Sequence, residues 1–417
     1  MWAKALDEIQ RAIDSLPPAL AEHRALASEA AGRLFNQAAE SGSHGIFVST
    51  GDIPAMWLRD SSFQVKPLLR FAGRPAVYDF VAGVIRQQAA YIAIDPYANA
   101  FNIEANGNCW HRDFADQSPW VFERKFEIDS LASFLDISLG LADASGSTEH
   151  LDSAWWQAAE AAVALFETEL HHDPGSYIFM RKNAPKHDYL YPDGRGAEFA
   201  DCGLIWSAFR PSDDACELPF NIPQNAYAAA QLERLARLAK TQITHAELAA
   251  RCETLATSIR GAIEKLAIVD GHYVYEIDGL GEKLFIDDAN IPSLLSLPYL
   301  GFCSPSDSRY LATRAAVLSK KNKWYFEGSR VSHIGSPHTG AGRVWPLAMA
   351  MEIITSETLE IEKLDALREL AEEGKGFHES ISVDNPADFT REWFSWAEMT
   401  YFDAVFTTAE KLLELGD

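Results

Sequence analysis

Residues 2–18, WAKALDEIQRAIDSLPP, show the spacing that decides the fold class. Apolar side chains recur every three or four positions from Trp2 to Leu16, so they share one face of a helix, and the proline pair that follows ends it. The same spacing continues along most of the chain. It predicts further helices at about 19–40, 61–72, 76–94, 123–143, 152–172, 223–240, 244–267, 307–319, 344–356, 359–373 and 394–415.

Strand patterns are rare by comparison. The alternation in residues 272–287, HYVYEIDGLGEKLFID, predicts a small β-hairpin around the glycines, and residues 177–181, YIFMR, are a weaker candidate for a strand. About twelve helices in pairs, joined by long loops, indicate an all-α fold: an (α/α)6 barrel, or toroid, whose loops form a pocket at one end. A generic helical bundle or solenoid is the alternative. Since no Gly/Ser/Pro-rich linker divides the chain, we expect residues 1–417 to form a single domain.

Charge and composition exclude several classes of partner and cofactor. A net charge of −24 argues against nucleic acid and anionic membranes, because both bind clustered Lys and Arg. The N-terminal segment lacks the apolar core of a signal peptide and no run of about 18 apolar residues occurs, so we expect a cytoplasmic protein. The five cysteines are scattered, and neither HExxH nor a nucleotide-binding motif is present. We therefore expect no disulfide, no metal and no cofactor.

The loops are expected to form the functional site, because aromatic residues alternate in them with Asp, Glu, Arg, Asn and His. In one loop Trp57, Arg59 and Asp60 lie within four residues. Aromatic faces pack against the C–H face of a sugar, while carboxylates, Arg and Asn bind its hydroxyl groups. We therefore predict a saccharide pocket built from several loops. The segments are 56–64, 108–130, 209–227, 285–301, 324–345 and 376–398.

Three carboxylates in these loops are candidates for acid and base chemistry. Asp213 and Asp214 are adjacent in RPSDDA, and like charge or burial raises the pKa of one carboxyl group, as a general acid requires. Glu379 in FHES is a candidate base. Capping of a helix is the alternative role for the aspartates, and an ordinary position at a helix end is the alternative for Glu379. His111 and His338 are candidate donors to substrate hydroxyl groups.

Six motifs resemble one known family. GDIPAMWLRDSS, WVFERKFEIDSL, FRPSDDA, DDANIPSLLSLPYLG, IGSPHT and HES…DNP…FTREWFSWA are similar, in order from about residue 45 to 400, to glycoside hydrolase family 125, the metal-independent exo-α-1,6-mannosidases. The resemblance implies an (α/α)6 barrel. It also implies hydrolysis of a terminal α-mannosyl residue of an oligosaccharide, with inversion at the anomeric carbon and without metal.

The resemblance also assigns roles to individual residues. The general acid falls on the Asp213–Asp214 pair, with Asp214 preferred, and the general base falls on Glu379. An inverting pair of carboxyl groups stands roughly 6.5–9.5 Å apart, which leaves room for the attacking water. The pocket for the terminal sugar is expected to include Trp57, Arg59 and Asp60, with Arg210, His338 and Trp396 as further candidates for the same pocket.

Two departures from the family pattern bear on the substrate. The stretch after SDDA reads CELPFNIPQNAY, where a hydroxyl residue and an aromatic residue are expected ahead of Pro219. Glu398 stands where asparagine is expected, and Asp403 lies nearby, so both could compete for the role of base. Two alternatives to the exo-α-mannosidase therefore remain at this point. One is an exo-glycosidase of the same fold acting on another α-linked sugar, and the other is a sugar-binding toroid without catalysis.

Overall fold

The computed structural model describes residues 2–114, 116–173, 175, 177–241, 245–372 and 374–416. Within these residues the chain forms twelve α-helices, as the sequence predicts. They are α1 (Ala3–Asp14), α2 (Arg24–Arg33), α3 (Leu58–Val65), α4 (Pro75–Ile94), α5 (Ile128–Ser145), α6 (Ser153–Leu170), α7 (Ile222–Lys240), α8 (Ala246–Leu266), α9 (Ser308–Val317), α10 (Pro346–Ile354), α11 (Ile361–Arg368) and α12 (Ser395–Leu415).

Five helices form an inner ring. Helix α12 packs against α3, α3 against α5, α5 against α7, and α12 against α10. All eight residues of α3 are buried, and buried residues also predominate in α5, α7 and α12. A helix that is buried on every side is a core helix. The sixth inner position, between α7 and α10, is taken by the non-helical segment 291–302, where Leu300 accepts a hydrogen bond from Gln231 of α7.

The other helices form an outer ring with one apolar face each. In chain order α2, α4, α6, α8, α9 and α11 alternate with the inner positions, and α1 packs against α2 and α4. Only part of each outer helix is buried; α8, for example, buries eight of its 21 residues. This pattern confirms the predicted (α/α)6 barrel, with the difference that a segment of turns replaces one inner helix.

Within the described residues fifteen short strands occur in the loops, more than the hairpin and the weaker candidate at 177–181 that the sequence predicts. All pairings are antiparallel, in six small sheets within the described residues. The strands are β1 (Ala39–Ser41), β2 (Ile46–Val48), β3 (Met56–Trp57), β4 (Ala100–Phe101), β5 (Val121–Glu123), β6 (Phe220–Asn221), β7 (Ile268–Val269), β8 (His272–Tyr273), β9 (Glu276–Ile277), β10 (Lys283–Leu284), β11 (Tyr325–Glu327), β12 (Ser332–Ile334), β13 (Arg343–Val344), β14 (Ser380–Ser382) and β15 (Phe389–Thr390).

The sheets explain how the inner helices begin. A strand ends just before each of the five: β3 before α3, β5 before α5, β6 before α7, β13 before α10 and β15 before α12. Because these loops are buried, their backbone groups need partners, and short ladders supply them. The loops therefore hold a defined shape at the N-terminal ends of the inner helices.

The structure corrects several details of the sequence prediction. The hairpin within 272–287 is confirmed, since β9 pairs with β10. Residues 177–181 form no strand, although Phe179 is hydrogen-bonded through its backbone to Gly194 and Leu190. The helix predicted at 123–143 begins only at Ile128, because β5 and a short loop occupy its first residues. Among the described helices, none is long and apolar enough to cross a bilayer.

Candidate active site

A pocket of about 370 Å³ opens at the N-terminal ends of the inner helices. Its size and its mixture of aromatic and charged walls suit a small polar ligand. The lining residues are Thr50, Ile53, Trp57, Asp60, Trp110, His111, Glu123, Lys125, Arg181, Asp188, Asp213, His338, Glu379 and Arg391.

The start of α3 forms one wall of the pocket. Trp57 precedes the first turn and packs edge-on against Phe122, with ring centroids 5.7 Å apart. Asp60 lies in that first turn, where the positive end of the helix dipole favours a carboxylate. Thr50 donates a hydrogen bond to Asp60 Oδ2. The wall therefore offers an aromatic face and a fixed acceptor side by side.

Arg59 lies behind this wall and binds three carboxylates, two at the start of α5 and one in the loop before α7. Its guanidinium donates to Glu127 Oε2 at 2.6 Å, to Asp129 Oδ2 at 3.3 Å and to Asp213 Oδ1 at 3.0 Å. Only 3% of the side chain is exposed. Arg59 therefore holds the acidic groups in place and does not itself line the pocket.

The two adjacent aspartates point in different directions. Asp213 has φ +63°, a left-handed conformation that aspartate tolerates better than most residues. Two backbone hydrogen bonds close the tight turn around it: Arg210 N–H donates to Asp214 O, and Asp213 N–H donates to Arg210 O. As a result 23% of the Asp213 side chain is exposed to the pocket, against 2% for Asp214. The turn therefore presents Asp213 to a ligand and buries Asp214.

Asp213 shares its environment with Glu127. Burial raises the pKa of Asp213, but the charge of Arg59, the hydrogen bond with Glu127 and the charge of Lys125 outweigh burial and hold that pKa below its usual range. For Glu127, burial is the largest influence and raises the pKa well above its usual range, against the charge of Arg59. The two carboxyl groups therefore favour opposite protonation states.

Asp214 pairs with His338. Asp214 Oδ1 lies 2.9 Å from His338 Nδ1. Burial lowers the pKa of His338, but the hydrogen bond and charge of Asp214 outweigh it and raise that pKa to about 9. His338 is therefore an imidazolium at neutral pH, with Nδ1–H donated to Asp214 and a second N–H available at the pocket wall.

Glu379 reaches the same pocket from the loop before β14. Its backbone N–H donates to Thr390 O at 3.3 Å, which places it beside the short sheet, and its side chain is 10% exposed. Arg391 Nη1 lies 3.7 Å from Glu379 Oε1, and the same guanidinium is bound to Asp52. Glu379 therefore faces the pocket with the guanidinium of Arg391 beside it.

Part of the lining consists of residues that were not predicted individually from the sequence. Trp110 is 60% exposed and packs edge-on against Phe122 at 5.7 Å. Lys125 Nζ donates to Asp188 Oδ1 at 2.8 Å, and Arg181 Nη1 donates to the same oxygen at 2.7 Å. Trp110 and Lys125 fall in the aromatic segment 108–130, so composition could have found them, whereas Arg181 and Asp188 carry no local signal.

The structure brings together six of the predicted site residues and separates four others. Arg59, Asp214, Arg210 and Trp396 do not line the pocket. Arg210 is buried and bound to Glu276 through two nitrogens, at 2.5 and 2.8 Å. Trp396 is buried and stacks on Phe63 at 5.5 Å, below the pocket. The six in the lining are Trp57, Asp60, His111, Asp213, His338 and Glu379.

The two acids that could compete with Glu379 lie elsewhere. Glu398 is fully buried and accepts from Arg33 Nε at 3.1 Å and from Trp393 Nε1 at 3.0 Å. Asp403 is bound by Arg70 and by the hydroxyl group of Tyr299. Neither belongs to the pocket lining. The described residues also contain no cluster of three or more His, Cys, Asp or Glu that could hold a metal ion.

Comparison with known proteins identifies the family of this chain. Residues 24–406 match the family model of metal-independent alpha-mannosidases, GH125. The chain belongs to this family. It is therefore a glycoside hydrolase of the α-mannosidase type. It is also 37% identical over 403 residues to the Meiotically up-regulated gene 157 protein of Schizosaccharomyces pombe, covering 90% of this chain and 79% of the relative.

Solved structures agree with the family and the fold. A Streptococcus pneumoniae protein of the metal-independent alpha mannosidases, in a non-productive complex with alpha-1,6-mannobiose, is 35% identical, with a TM-score of 0.91 and 98% of each chain covered. A bacterial glucoamylase complexed with acarbose matches at 14% identity and a TM-score of 0.60, over 97% of this chain and 58% of that one. The second likeness concerns the fold alone.

Proposed function

We propose that this GH125 protein is an exo-acting, inverting α-mannosidase that removes a terminal mannose, in α-1,6 linkage, from an oligosaccharide. The observation that carries the proposal is the presence of two carboxyl groups, Asp213 and Glu379, from distant loops in the lining of one pocket. The bound alpha-1,6-mannobiose of the Streptococcus pneumoniae relative supports the choice of linkage. No step in this scheme needs a metal ion, in agreement with the family description.

In this proposal Asp213 is the general acid, in preference to its neighbour Asp214. A general acid must reach the glycosidic oxygen, and the side chain of Asp213 is exposed to the pocket whereas that of Asp214 is not. Asp213 gives a proton to the glycosidic oxygen as the bond to the anomeric carbon breaks. Glu379 takes a proton from the water whose oxygen attacks that carbon from the opposite face, so the product is β-mannose.

Other lining residues bind the terminal sugar. Asp60 accepts from its hydroxyl groups, and the imidazolium of His338 donates to them. Trp57 offers its indole face, and within the described residues its buried Nε1–H has no hydrogen-bond partner, so it is available to a hydroxyl oxygen. Trp110, at the exposed rim, is suited to stack on the sugar of the leaving group.

Proton NMR during hydrolysis of α-1,6-mannobiose tests the proposal. The wild type is expected to release β-mannose first. Asp213→Asn and Glu379→Gln should each lose roughly 10²–10⁴-fold in kcat, because each removes one proton-transfer group. Initial release of α-mannose would refute inversion. Activity only on other α-linked disaccharides would refute the linkage, and sugar binding without turnover would refute catalysis.

A further inference from the structure

We propose that Glu127 is the proton partner of Asp213: the two carboxyl groups share one proton, and Glu127 supplies it to Asp213 before Asp213 protonates the glycosidic oxygen. This inference rests on the proposed function, in which Asp213 is the acid. Glu127 does not line the pocket, so it acts through Asp213 as a positioning residue and has no contact with substrate.

The hydrogen bonds around Glu127 leave one of its oxygens facing Asp213. Arg59 Nη1 and Ser130 Oγ both donate to Glu127 Oε2, at 2.6 and 3.2 Å. The side-chain nitrogen of Asn99 lies 3.4 Å from Glu127 Oε1 and 3.4 Å from Asp213 Oδ1, so the same amide group approaches both carboxyl groups. Arg59 donates to both groups as well, to Glu127 Oε2 at 2.6 Å and to Asp213 Oδ1 at 3.0 Å, so the two carboxyl groups lie close enough to share a hydrogen bond. A hydrogen bond between two carboxyl groups requires a proton on one of them.

The balance of charge around Arg59 also favours a proton on one of the buried carboxyl groups. Four carboxyl groups surround Arg59. The other cations close to Asp213 are already paired, Lys125 with Asp188 and His338 with Asp214. Buried carboxylates without enough positive charge take up protons. Glu127 is fully buried, and burial raises its pKa well above its usual range. The four carboxyl groups belong to Asp60, Glu127, Asp129 and Asp213.

A proton partner removes a difficulty in the mechanism. Arg59 and Lys125 hold the pKa of Asp213 below its usual range, so Asp213 alone would be ionised at neutral pH and could not act as an acid. When the shared proton moves from Glu127 to Asp213, Glu127 becomes a carboxylate that Arg59 and Ser130 already bind. Asp213 becomes the neutral acid, and its carboxyl group turns about a soft torsion to face the glycosidic oxygen. A solvent proton restores the pair after product release.

The inference can be tested with two substrates that differ in their need for a general acid. A dinitrophenyl α-mannoside has a leaving group that departs as a stable anion, whereas α-1,6-mannobiose needs protonation. We expect Glu127→Gln to lose roughly 100-fold in kcat on mannobiose and to keep most of its activity on the aryl mannoside. The alkaline limb of the mannobiose profile should also move to lower pH. Glu127→Asp, which retains a carboxyl group, should recover part of the loss.

Asp129→Asn is the matched control. Asp129 also accepts a hydrogen bond from Arg59, at 3.3 Å, and its replacement removes a carboxyl group beside Arg59 without removing the partner of Asp213. The control is expected to change both substrates by the same factor. If Glu127→Gln also lowers both substrates equally and leaves the pH profile in place, its role is only structural and the inference is wrong.

Infrared spectroscopy separates this inference from the proposed function. Buried carboxyl groups elsewhere also contribute C=O stretches, since burial raises the pKa of Asp287 to about 8. The difference spectrum between the wild type and Glu127→Gln at neutral pH should therefore show the stretch of one protonated carboxyl group that is present only in the wild type. That signal does not depend on turnover, so it can be read even if the wild type fails to hydrolyse any α-mannoside. Its absence from the folded wild type would overturn the inference whatever the activity shows.

Discussion

Replacement of Asp214 by asparagine should lower the pKa of His338 and give the enzyme a new pH dependence. The variant keeps the shape of the side chain and an acceptor oxygen for His338 Nδ1, 2.9 Å away, but removes the negative charge. The wild-type His338 pKa of about 9, against an ordinary value of 6.5, corresponds to about 3 kcal/mol of preference for the imidazolium. Since 37% of the His338 side chain is exposed, solvent screening reduces this preference to about 1.5 kcal/mol.

This energy corresponds to a shift of about one unit in the pKa of His338. The activated dinitrophenyl α-mannoside is the substrate to use, because its rate does not depend on the general acid. In a profile from pH 5.5 to 9.5, kcat/KM of the wild type should stay nearly constant and decline only as His338 deprotonates near pH 9. In Asp214→Asn the same decline should begin about one unit lower, while activity below pH 6.5 is largely retained.

The sign of the effect on stability follows from the same shift. The pKa of His338 is raised in the folded protein, so its contribution to stability is complete below pH 6.5 and is lost as the pH rises through about 9. The wild type should therefore exceed Asp214→Asn in free energy of unfolding by about 1.5 kcal/mol more at pH 6 than at pH 9.5. Urea denaturation at the two pH values measures this difference.

One result would refute the reasoning. If Asp214→Asn is nearly inactive on mannobiose at every pH but fully active on the aryl mannoside, Asp214 is the general acid. The preference that the sequence motif gave to Asp214 would then be correct, and the assignment of the acid to Asp213 would be wrong. Asp213→Asn, assayed beside it, identifies which of the two variants shows this pattern.

Three further predictions concern other residues. Trp110→Ala should weaken mannobiose binding about tenfold, the loss of one stacking contact of about 1–1.5 kcal/mol, without changing inhibition by mannose; equal weakening of both would argue against a leaving-group contact. Glu398→Ala should lower the free energy of unfolding by about 3 kcal/mol, because partly buried Arg33 loses its buried carboxylate partner, while the folded enzyme keeps its kcat; loss of kcat would make Glu398 part of the catalytic site. Gly376→Ala should lower the free energy of unfolding, measured by urea denaturation, by about 2–4 kcal/mol, since φ is +74° and a Cβ atom would collide with Glu398. Gly374→Ala, with φ +75° and open space around the Cβ position, should lower it by about 1 kcal/mol, and similar losses in the two variants would contradict the collision.

Much of the fold was predictable because helix formation depends on local spacing. Apolar residues at intervals of three and four predicted every one of the twelve described helices, with errors at the ends, as at Ile128. The small sheets were not predictable. Strands of two or three residues have too little alternation to stand out, and their partners lie on distant loops. For the same reason the turns at 291–302 gave no sign of replacing an inner helix.

The site divides in the same way between sequence and tertiary structure. The sequence alone determined the family motifs and the kinds of side chain the pocket would need, including Trp57, Asp60 and Glu379, because residue type and motif order are properties of the chain itself. Only the tertiary structure decided which of two adjacent aspartates faces the pocket, because that depends on one left-handed turn. It also decided that Arg59 lies behind the wall and that Glu398 lies away from the chemistry. Their direction is determined by ion pairs with residues 68 and 365 positions away, which no local pattern records.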